Sequence, residues 1–318
     1  VLVLNCGSSS IKYQLIDMKN ENLMAKGYLE KIGLPDSFLT HTVNGEKRKI
    51  DEPINNHEEG IKLVLAQLTH PEYGVISSLD EIGAVGHRVV HGGEKFSSSV
   101  LIDDAVMEAM KECIPLAPLH NPAGITGIEA CKKVLPDVPM VGVFDTAFHQ
   151  TMPKENYLYA LPYNLYTDYK VRRYGAHGTS HKYVSMRLNE LLGKKDTKLI
   201  TCHIGNGASI SAIVNGKCLN TSMGLTPNAG LIMGTRCGDI DATILPYLME
   251  KQNISCKEMD RIMNKESGLL GISGVSSDSR DIEAGIKEGN KRCELAQKMY
   301  VRRIIDYIAK YYVELEGC

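Results

Sequence analysis

Val1-Leu2-Val3-Leu4-Asn5-Cys6-Gly7-Ser8-Ser9-Ser10-Ile11-Lys12 opens the chain, and Leu199-Ile200-Thr201-Cys202-His203-Ile204-Gly205-Asn206-Gly207-Ala208-Ser209-Ile210 repeats its plan in the second half. Each segment reads as an apolar strand, a tight glycine-containing turn and a second strand. A turn free of bulky side chains lets backbone N–H groups converge on an anion, and neighbouring hydroxyls or a lysine add donors. One copy alone reads first as an ordinary hairpin. Two copies, both with polar groups at the bend, point to a duplicated phosphate cradle and to two related half-domains facing each other across a nucleotide.

The rest of the chain fits that α/β frame. Strands are expected over Val1 to Leu4, Ile11 to Asp17 and Ala25 to Glu30, followed by a helix over His57 to Leu68 with Ile61, Val64, Leu65 and Leu68 on one face. Ala84 to Val90 and Val141 to Phe144 read as buried strands, the second ending at Asp145, where the boundary between units 1–147 and 148–318 is placed. Helices are expected over Asp103 to Cys113 and, with Asn121 as N-cap and Pro122 at the first helical position, as far as Leu135. In the second half, Thr179 or Ser180 is expected to cap a helix that holds Tyr183, Val184, Leu188, Leu191 and Leu192 inside and ends at Gly193. Asp239 to Met249 reads as another helix, and Ser255 with Glu258 forms a capping box for the next. A last helix, with Leu295, Met299, Ile305, Ile308 and Tyr312 as its inner face, runs into Glu316-Gly317-Cys318 without a closing strand. That pattern predicts further elements beyond Cys318, and aggregation or inactivity of residues 1–318 on their own.

Composition excludes several classes. With 43% hydrophobic and 23% charged residues and a formal net charge of −2, the 318-residue chain is ordinary for a globular protein and has no basic block for nucleic acid. Nine cysteines are scattered singly with no C-x-x-C pair, which argues against a disulfide framework or a zinc ribbon and for a reducing cytoplasm. No stretch reads as a membrane span.

Charged residues recur at strand ends and in glycine-rich loops. Arg88 follows an apolar strand within Gly86 to Gly93, and Arg236 lies within Met233-Gly234-Thr235-Arg236-Cys237-Gly238-Asp239. A guanidinium fork suits carboxylate or phosphate oxygens, so both are candidate anion ligands rather than surface ion pairs. Asp145 fits a magnesium-holding carboxylate and a helix N-cap equally well. His177 and His181 are four apart, as are His87 and His91, but Gly178 interrupts the first pair and no H-E-x-x-H pattern accompanies either. A metal-dependent hydrolase is therefore the weaker reading, and the absence of a G-x-x-x-x-G-K-[ST] segment argues against a P-loop kinase.

At these motifs the sequence resembles the acetate kinase family. The likeness runs through Asn5 to Ser10, Gly86 to Glu94, Pro115 to Pro122, Phe144 to Pro153, His177 to His181, His203 to Ile210 and Gly234 to Asp241. It implies two ribonuclease-H-like lobes of the actin, hexokinase and heat-shock ATPase superfold, the first for the acyl substrate and the second for the nucleotide. It also implies reversible in-line phosphoryl transfer from ATP to acetate, giving acetyl phosphate and ADP with Mg2+ or Mn2+. By position in the motifs, Arg88 and Arg236 would hold acetate and the phosphoryl group, His177 would donate to its equatorial oxygens, and Asp145, with Asn5, would serve the metal or its waters. Asn5, Ser10 and Lys12 would line the phosphate side, with His203, Asn206 and Gly207 around the nucleotide phosphates and Asp278 and Arg280 near the adenosine. Val90, Leu119 and Pro227 would form the acyl pocket. Ala176 stands where many members carry phenylalanine, and Asn228-Ala229 where Leu-Glu is frequent, so propionate or another short carboxylate is the alternative acceptor. A nucleotide-dependent ATPase module of the same superfold is the remoter reading. The resemblance further implies a homodimer joined through the second lobe, and places a third nucleotide motif and a magnesium-linked glutamate beyond Cys318.

Overall fold

In the computed structural model, which describes residues 1–118 and 120–318, the opening segment is an antiparallel hairpin: β1 (Leu2–Gly7) pairs with β2 (Ser10–Asp17) from Leu2↔Leu15 to Gly7↔Ser10. The chain forms two compact units, Val1–Ala147 and Phe148–Cys318. In the first, β3 (Asn22–Glu30), β4 (Phe38–Val43) and β5 (Glu46–Asp51) extend the meander, α1 (His57–Leu68) crosses back, and β6 (Val85–Val89) joins β1 in parallel. Then come β7 (Val100–Leu101), α2 (Asp104–Glu112), α3 (Asn121–Val134) and β8 (Met140–Phe144), which lies parallel to β6. The result is a mixed eight-stranded sheet in the order β5-β4-β3-β2-β1-β6-β8-β7.

Alternation explains which face is covered. Leu2 and Leu4 of β1, Val85, His87 and Val89 of β6 and Ile11, Tyr13 and Leu15 of β2 are buried, and Ile61, Val64, Leu65 and Leu68 of α1 join the apolar members of this set in one core. Asn56 starts α1 by accepting from the Glu59 N–H. Asn121 is a correction: it occupies the first turn of α3 rather than its N-cap, and His120 precedes it with no side-chain cap. Its buried amide instead clamps the loop after β6, accepting from His91 N at 3.1 Å and donating to His91 O at 2.8 Å.

The second unit contains α4 (Lys154–Tyr157), α5 (Asn164–Tyr169), α6 (Gly178–Leu192) and the antiparallel strands β9 (Lys198–Ile204), β10 (Ala208–Val214) and β11 (Lys217–Thr221). Helices α7 (Ile244–Gln252), α8 (Cys256–Lys265), α9 (Gly268–Ser273), α10 (Ser279–Lys287) and α11 (Lys291–Glu314) complete it, and α8 carries the Ser255–Glu258 capping box that its sequence predicts. One face of the three-stranded sheet is apolar, with Ala208, Ile210 and Ala212 packed in one cluster with Tyr307, Tyr311 and Leu315. The other carries Thr201, His203, Ser209 and Ser211.

That polar face overturns the expected orientation of α6. The helix buries Gly178, His181 and Ser185, while Tyr183, Val184, Leu188, Leu191 and Leu192 are exposed, because the strand surface it covers offers hydroxyls and imidazoles. His177, not Thr179 or Ser180, precedes the helix and adopts a left-handed conformation at φ 58°. Helix α7 starts at Ile244 rather than Asp239. Asp239 accepts from Gly230 N and from the Tyr307 hydroxyl, and Asp241 accepts from the N–H and hydroxyl of Thr243, so the intervening residues form a turn. Helix α11 buries Cys293, Ala296, Tyr307 and Tyr311; Leu295, Met299, Ile305, Ile308 and Tyr312 lie on its exposed side. Among the described residues no helix is long and apolar enough to cross a membrane.

Candidate active site

The candidate residues fall into one set in each unit. In the first, β6 and β8 run parallel and end together, with Asp145 N donating to Val89 O at 2.9 Å. The carboxyl ends of adjacent parallel strands are where α/β sheets commonly present ligands. Arg88 forks onto Asp145: Nε lies 3.2 and 3.1 Å from the two carboxylate oxygens, and Nη2 is 2.6 Å from Oδ2. The carboxylate is 2% exposed whereas the arginine side chain is 40% exposed, so Asp145 is the fixed member and Arg88 the one that reaches outward. Burial works against the Arg88 charge, but Asp145 outweighs it and raises the guanidinium above its ordinary pKa.

Asn5 sits in register with Lys12 across β1 and β2, on the half-exposed side of the sheet. The parallel register of β1 with β6 runs from Leu2↔Val85 to Leu4↔His87, so Asn5 and Arg88 each follow the last paired residue of their strand. Together with Ser10, these residues place hydroxyl, amide and ammonium donors around the Gly7-Ser8-Ser9-Ser10 turn. No residue of that turn has positive φ, and a Cβ on Gly7 would stand 2.9 Å from Ser10 Oγ, so the glycine serves close approach rather than an unusual dihedral. Val90 is half-buried and follows β6, and Leu119, the second acyl-pocket candidate, lies outside the described residues.

In the second unit the Gly205-Asn206-Gly207 turn is the centre. A Cβ on Gly207 would stand 3.5 Å from both Arg236 Nη1 and His177 Nε2, which brings all three together. Arg236 donates to the Pro227 carbonyl at 3.0 Å and has no carboxylate partner among the described residues. Burial accordingly lowers its pKa. His177 and His203 stack with centroids 4.1 Å apart, His177 Nδ1 lies 2.9 Å from Ser209 Oγ, and His203 Nδ1 lies 2.9 Å from Ser180 Oγ. Asn206 packs against Gly234, whose N–H donates to Asn206 O at 3.1 Å, and the Ser277 carbonyl lies beside the same glycine.

Asp278 caps α10, accepting from Arg280 N at 2.9 Å, and its side chain is gripped by the Arg280 guanidinium. The side-chain hydrogen bond from Arg280 holds the Asp278 carboxyl at about 2. Both are polar surface residues at a helix start, beside the loop that carries Ser277. Ala176 lies in the core of the second unit. Its methyl group is buried in one cluster with Ala208, Ile210 and Met223. Ser209 and Thr201, which with His181 of α6 tie His177 to the sheet, are not among the sequence candidates, and His181 enters there only as half of a histidine pair; alternation on β9 and β10 is the signal that marks Thr201 and Ser209.

Gly234→Ala tests whether Asn206 serves the nucleotide, as its motif leads one to expect. The new methyl would stand 1.9 Å from Asn206 Oδ1 and 3.0 Å from Ser277 O, so Asn206 must swing away while the backbone oxygen holds its ground. We expect KM for ATP to rise about tenfold, the scale of one lost charge-assisted hydrogen bond, with KM for the acyl substrate little changed. Equal effects on both substrates would remove Asn206 from nucleotide binding.

Comparison with known proteins agrees along the whole chain. The model of the Acetokinase family matches residues 1–318. The acetate kinase of Clostridioides difficile is 59% identical over 321 residues, taking in 100% of this chain and 81% of that protein, and that of Treponema denticola is 58% identical over 320 residues, with 100% and 81% covered. The crystal structure of Porphyromonas gingivalis acetate kinase superposes with a TM-score of 0.95 at 53% identity, over 99% of this chain and 80% of that one. A propionate kinase from Francisella tularensis superposes at 0.94 with 42% identity, over 98% and 80%.

Proposed function

Because the chain belongs to the acetokinase family, a family of carboxyl-group phosphotransferases, and catalyses the reversible ATP-dependent phosphorylation of acetate to acetyl phosphate, we propose that its two residue sets divide the reaction by charge. Acetate is ionised at neutral pH, so no general base is needed. The difficulty is that a carboxylate must approach a phosphorus already surrounded by anionic oxygens, and catalysis is alignment plus neutralisation. Arg88, aimed and held by Asp145, receives the acetate carboxylate, with Val90, two residues on along the chain, toward the methyl group. Arg236 and His177 take the equatorial oxygens of the phosphoryl group in flight. Asn5, Ser10 and Lys12 on one turn, and His203, Asn206 and Gly207 on the other, hold phosphates, with Asp278 and Arg280 toward the adenosine.

The observation that carries this reading is Arg236: a half-buried cation with no carboxylate partner among the described residues, set against a glycine turn and an imidazole, is a site built for an anion. The described residues offer magnesium a carboxylate and an amide, Asp145 and Asn5, rather than a full ligand set of their own. Among the described residues no group of three or more His, Cys, Asp or Glu side chains converges, and both Asp145 oxygens are engaged by Arg88. Asp145 and Asn5 would meet its water shell, and the ion when bound supplies charge neutralisation.

The two hairpin turns, each opening an antiparallel meander, support a pair of ribonuclease-H-like lobes in which each turn cradles phosphate, the first unit serving the acyl substrate and the second the nucleotide. A cytoplasmic homodimer joined through the second unit agrees with the exposed apolar side chains of α6 and α11 there. Trapping with hydroxylamine decides the chemistry: acetate, ATP and magnesium should yield acetyl hydroxamate in step with ADP, with propionate run in parallel. ADP release without hydroxamate would identify an ATPase instead.

A further inference from the structure

Four polar side chains of the second unit form an unbroken line. Thr201 Oγ1 lies 2.7 Å from His181 Nδ1, His181 Nε2 lies 2.8 Å from Ser209 Oγ, and the same Ser209 Oγ lies 2.9 Å from His177 Nδ1. Thr201, His181 and Ser209 are all buried, with Ser209 and His181 at 0% and 1% exposure. We propose that Ser209, His181 and Thr201 are positioning residues that fix the proton of His177 on Nε2, so that this ring meets the phosphoryl oxygens as a donor. The inference rests on the role given to His177 above.

Counting hydrogens along the line fixes the direction. Ser209 has one hydroxyl hydrogen and lies between two imidazole nitrogens, so it donates to one and must receive from the other. His181 is neutral, burial having pushed its pKa down to about 2, so it too carries one hydrogen between two partners. Two concerted arrangements remain. In one, Thr201 donates to His181 Nδ1, His181 Nε2–H donates to Ser209, and Ser209 donates to His177 Nδ1, which leaves the His177 hydrogen on Nε2. In the other every bond is reversed, and a neutral His177 turns a lone pair toward the Gly207 turn.

Thr201 decides between them. Its hydroxyl has His181 as its partner and no other among the described residues, so in the reversed arrangement the Thr201 hydrogen would be buried without an acceptor. The forward arrangement gives the hydrogens of Thr201, His181 and Ser209 an acceptor each. It also opposes protonation of His177 to imidazolium, which would require Nδ1 to donate and the whole line to reverse.

Nitrogen-15 NMR of the ring nitrogens in the full chain, with the His177 signals assigned by their loss in His177→Gln, reads the tautomer directly. The wild-type protein should show His177 as the Nε2–H tautomer. Ser209→Ala should show a mixture, with kcat reduced at least about tenfold and both KM values within twofold, and Ser209→Thr should restore the tautomer. If Ser209→Ala does not fold, the isosteric Thr201→Val reads the same line from its other end and should also yield a mixture. An Nδ1–H tautomer in the wild type, or an unchanged tautomer in the variant that folds, overturns the relay. If His177→Gln retains full turnover, the role of His177 itself falls; if it is inactive while the tautomer ignores Ser209, only the relay falls.

Discussion

Replacing Arg236 by alanine is expected to reduce turnover by at least about 100-fold while leaving the protein as stable as before, or slightly more so. A donor matched to charge that develops in the transition state is commonly worth about 100- to 1,000-fold, or roughly 3–4 kcal/mol. Arg236 fits that description because its charge is not spent inside the fold: one guanidinium nitrogen donates to the Pro227 carbonyl, and no acid among the described residues answers it. Its burial without a counter-ion lowers its pKa, which means that the folded protein carries the charge at a cost. Alanine removes that cost along with the catalytic interaction. Arg236→Lys should recover only part of the rate, since an ammonium keeps the charge but not the planar fork. Steady-state kcat and a thermal midpoint measured on the same preparations check both halves, and turnover within threefold of wild type would take Arg236 out of the mechanism.

Arg88→Ala should differ in kind. Here the charge is answered, and the partner is the more deeply buried of the two: Asp145 is 2% exposed and its side-chain oxygens bond to Arg88. Removing the arginine strands a carboxylate in the interior, a change that costs about 3–5 kcal/mol for fully buried pairs. Because the Arg88 side chain is 40% exposed, solvent screens part of this and about 2 kcal/mol is the expected loss. Turnover should again fall by at least about 100-fold. The double variant Arg88→Ala/Asp145→Asn should regain most of the lost stability and none of the activity, the signature of a pair whose structural and catalytic parts separate. Chemical denaturation of the single and double variants measures the first, and hydroxamate formation the second. Stability of Arg88→Ala equal to wild type would show that Asp145 finds another partner.

Much of this architecture is legible from residue order alone, and the reasons differ from place to place. Helix α1 matches its predicted span at both ends because its apolar spacing and its covered face agree. The two cradle hairpins are legible because an apolar run interrupted by a short polar turn admits few other structures. Strands β4 and β5 were missed although Asn44-Gly45 between them takes the paired left-handed conformation of a tight hairpin, at φ 52° and 86°. Their charged outer residues hid the alternation. Helices α6 and α11 show the opposite failure. Each carries apolar residues at helical spacing, but spacing identifies a stripe without saying what it faces, and in both helices another stripe is the buried one: His181 and Ser185 in α6, Tyr307 and Tyr311 in α11. Of the site, the arginines were visible through their glycine framing. The Arg88–Asp145 pair needed the parallel register of β6 and β8, and the serine and threonine behind His177 needed the sheet.

The loop that carries Arg236 is moored at some distance from the chemistry. Arg303 of α11 donates to the carbonyls of Gly230 and Asp239 at 3.1 Å each, the Tyr307 hydroxyl bonds the Asp239 carboxylate, and Asp239 in turn accepts from Gly230 N at 2.7 Å. The last helix thus acts on the reaction as a guy-line acts on a mast. Fraying of its middle turns would slacken the arginine loop while the β9–β10–β11 sheet stayed intact. Warming should therefore silence the enzyme before its strands melt, with loss of turnover running ahead of amide exchange in the sheet and in step with exchange in α11. An ageing or mildly heated sample would then look folded by its sheet signature and yet make no acetyl phosphate.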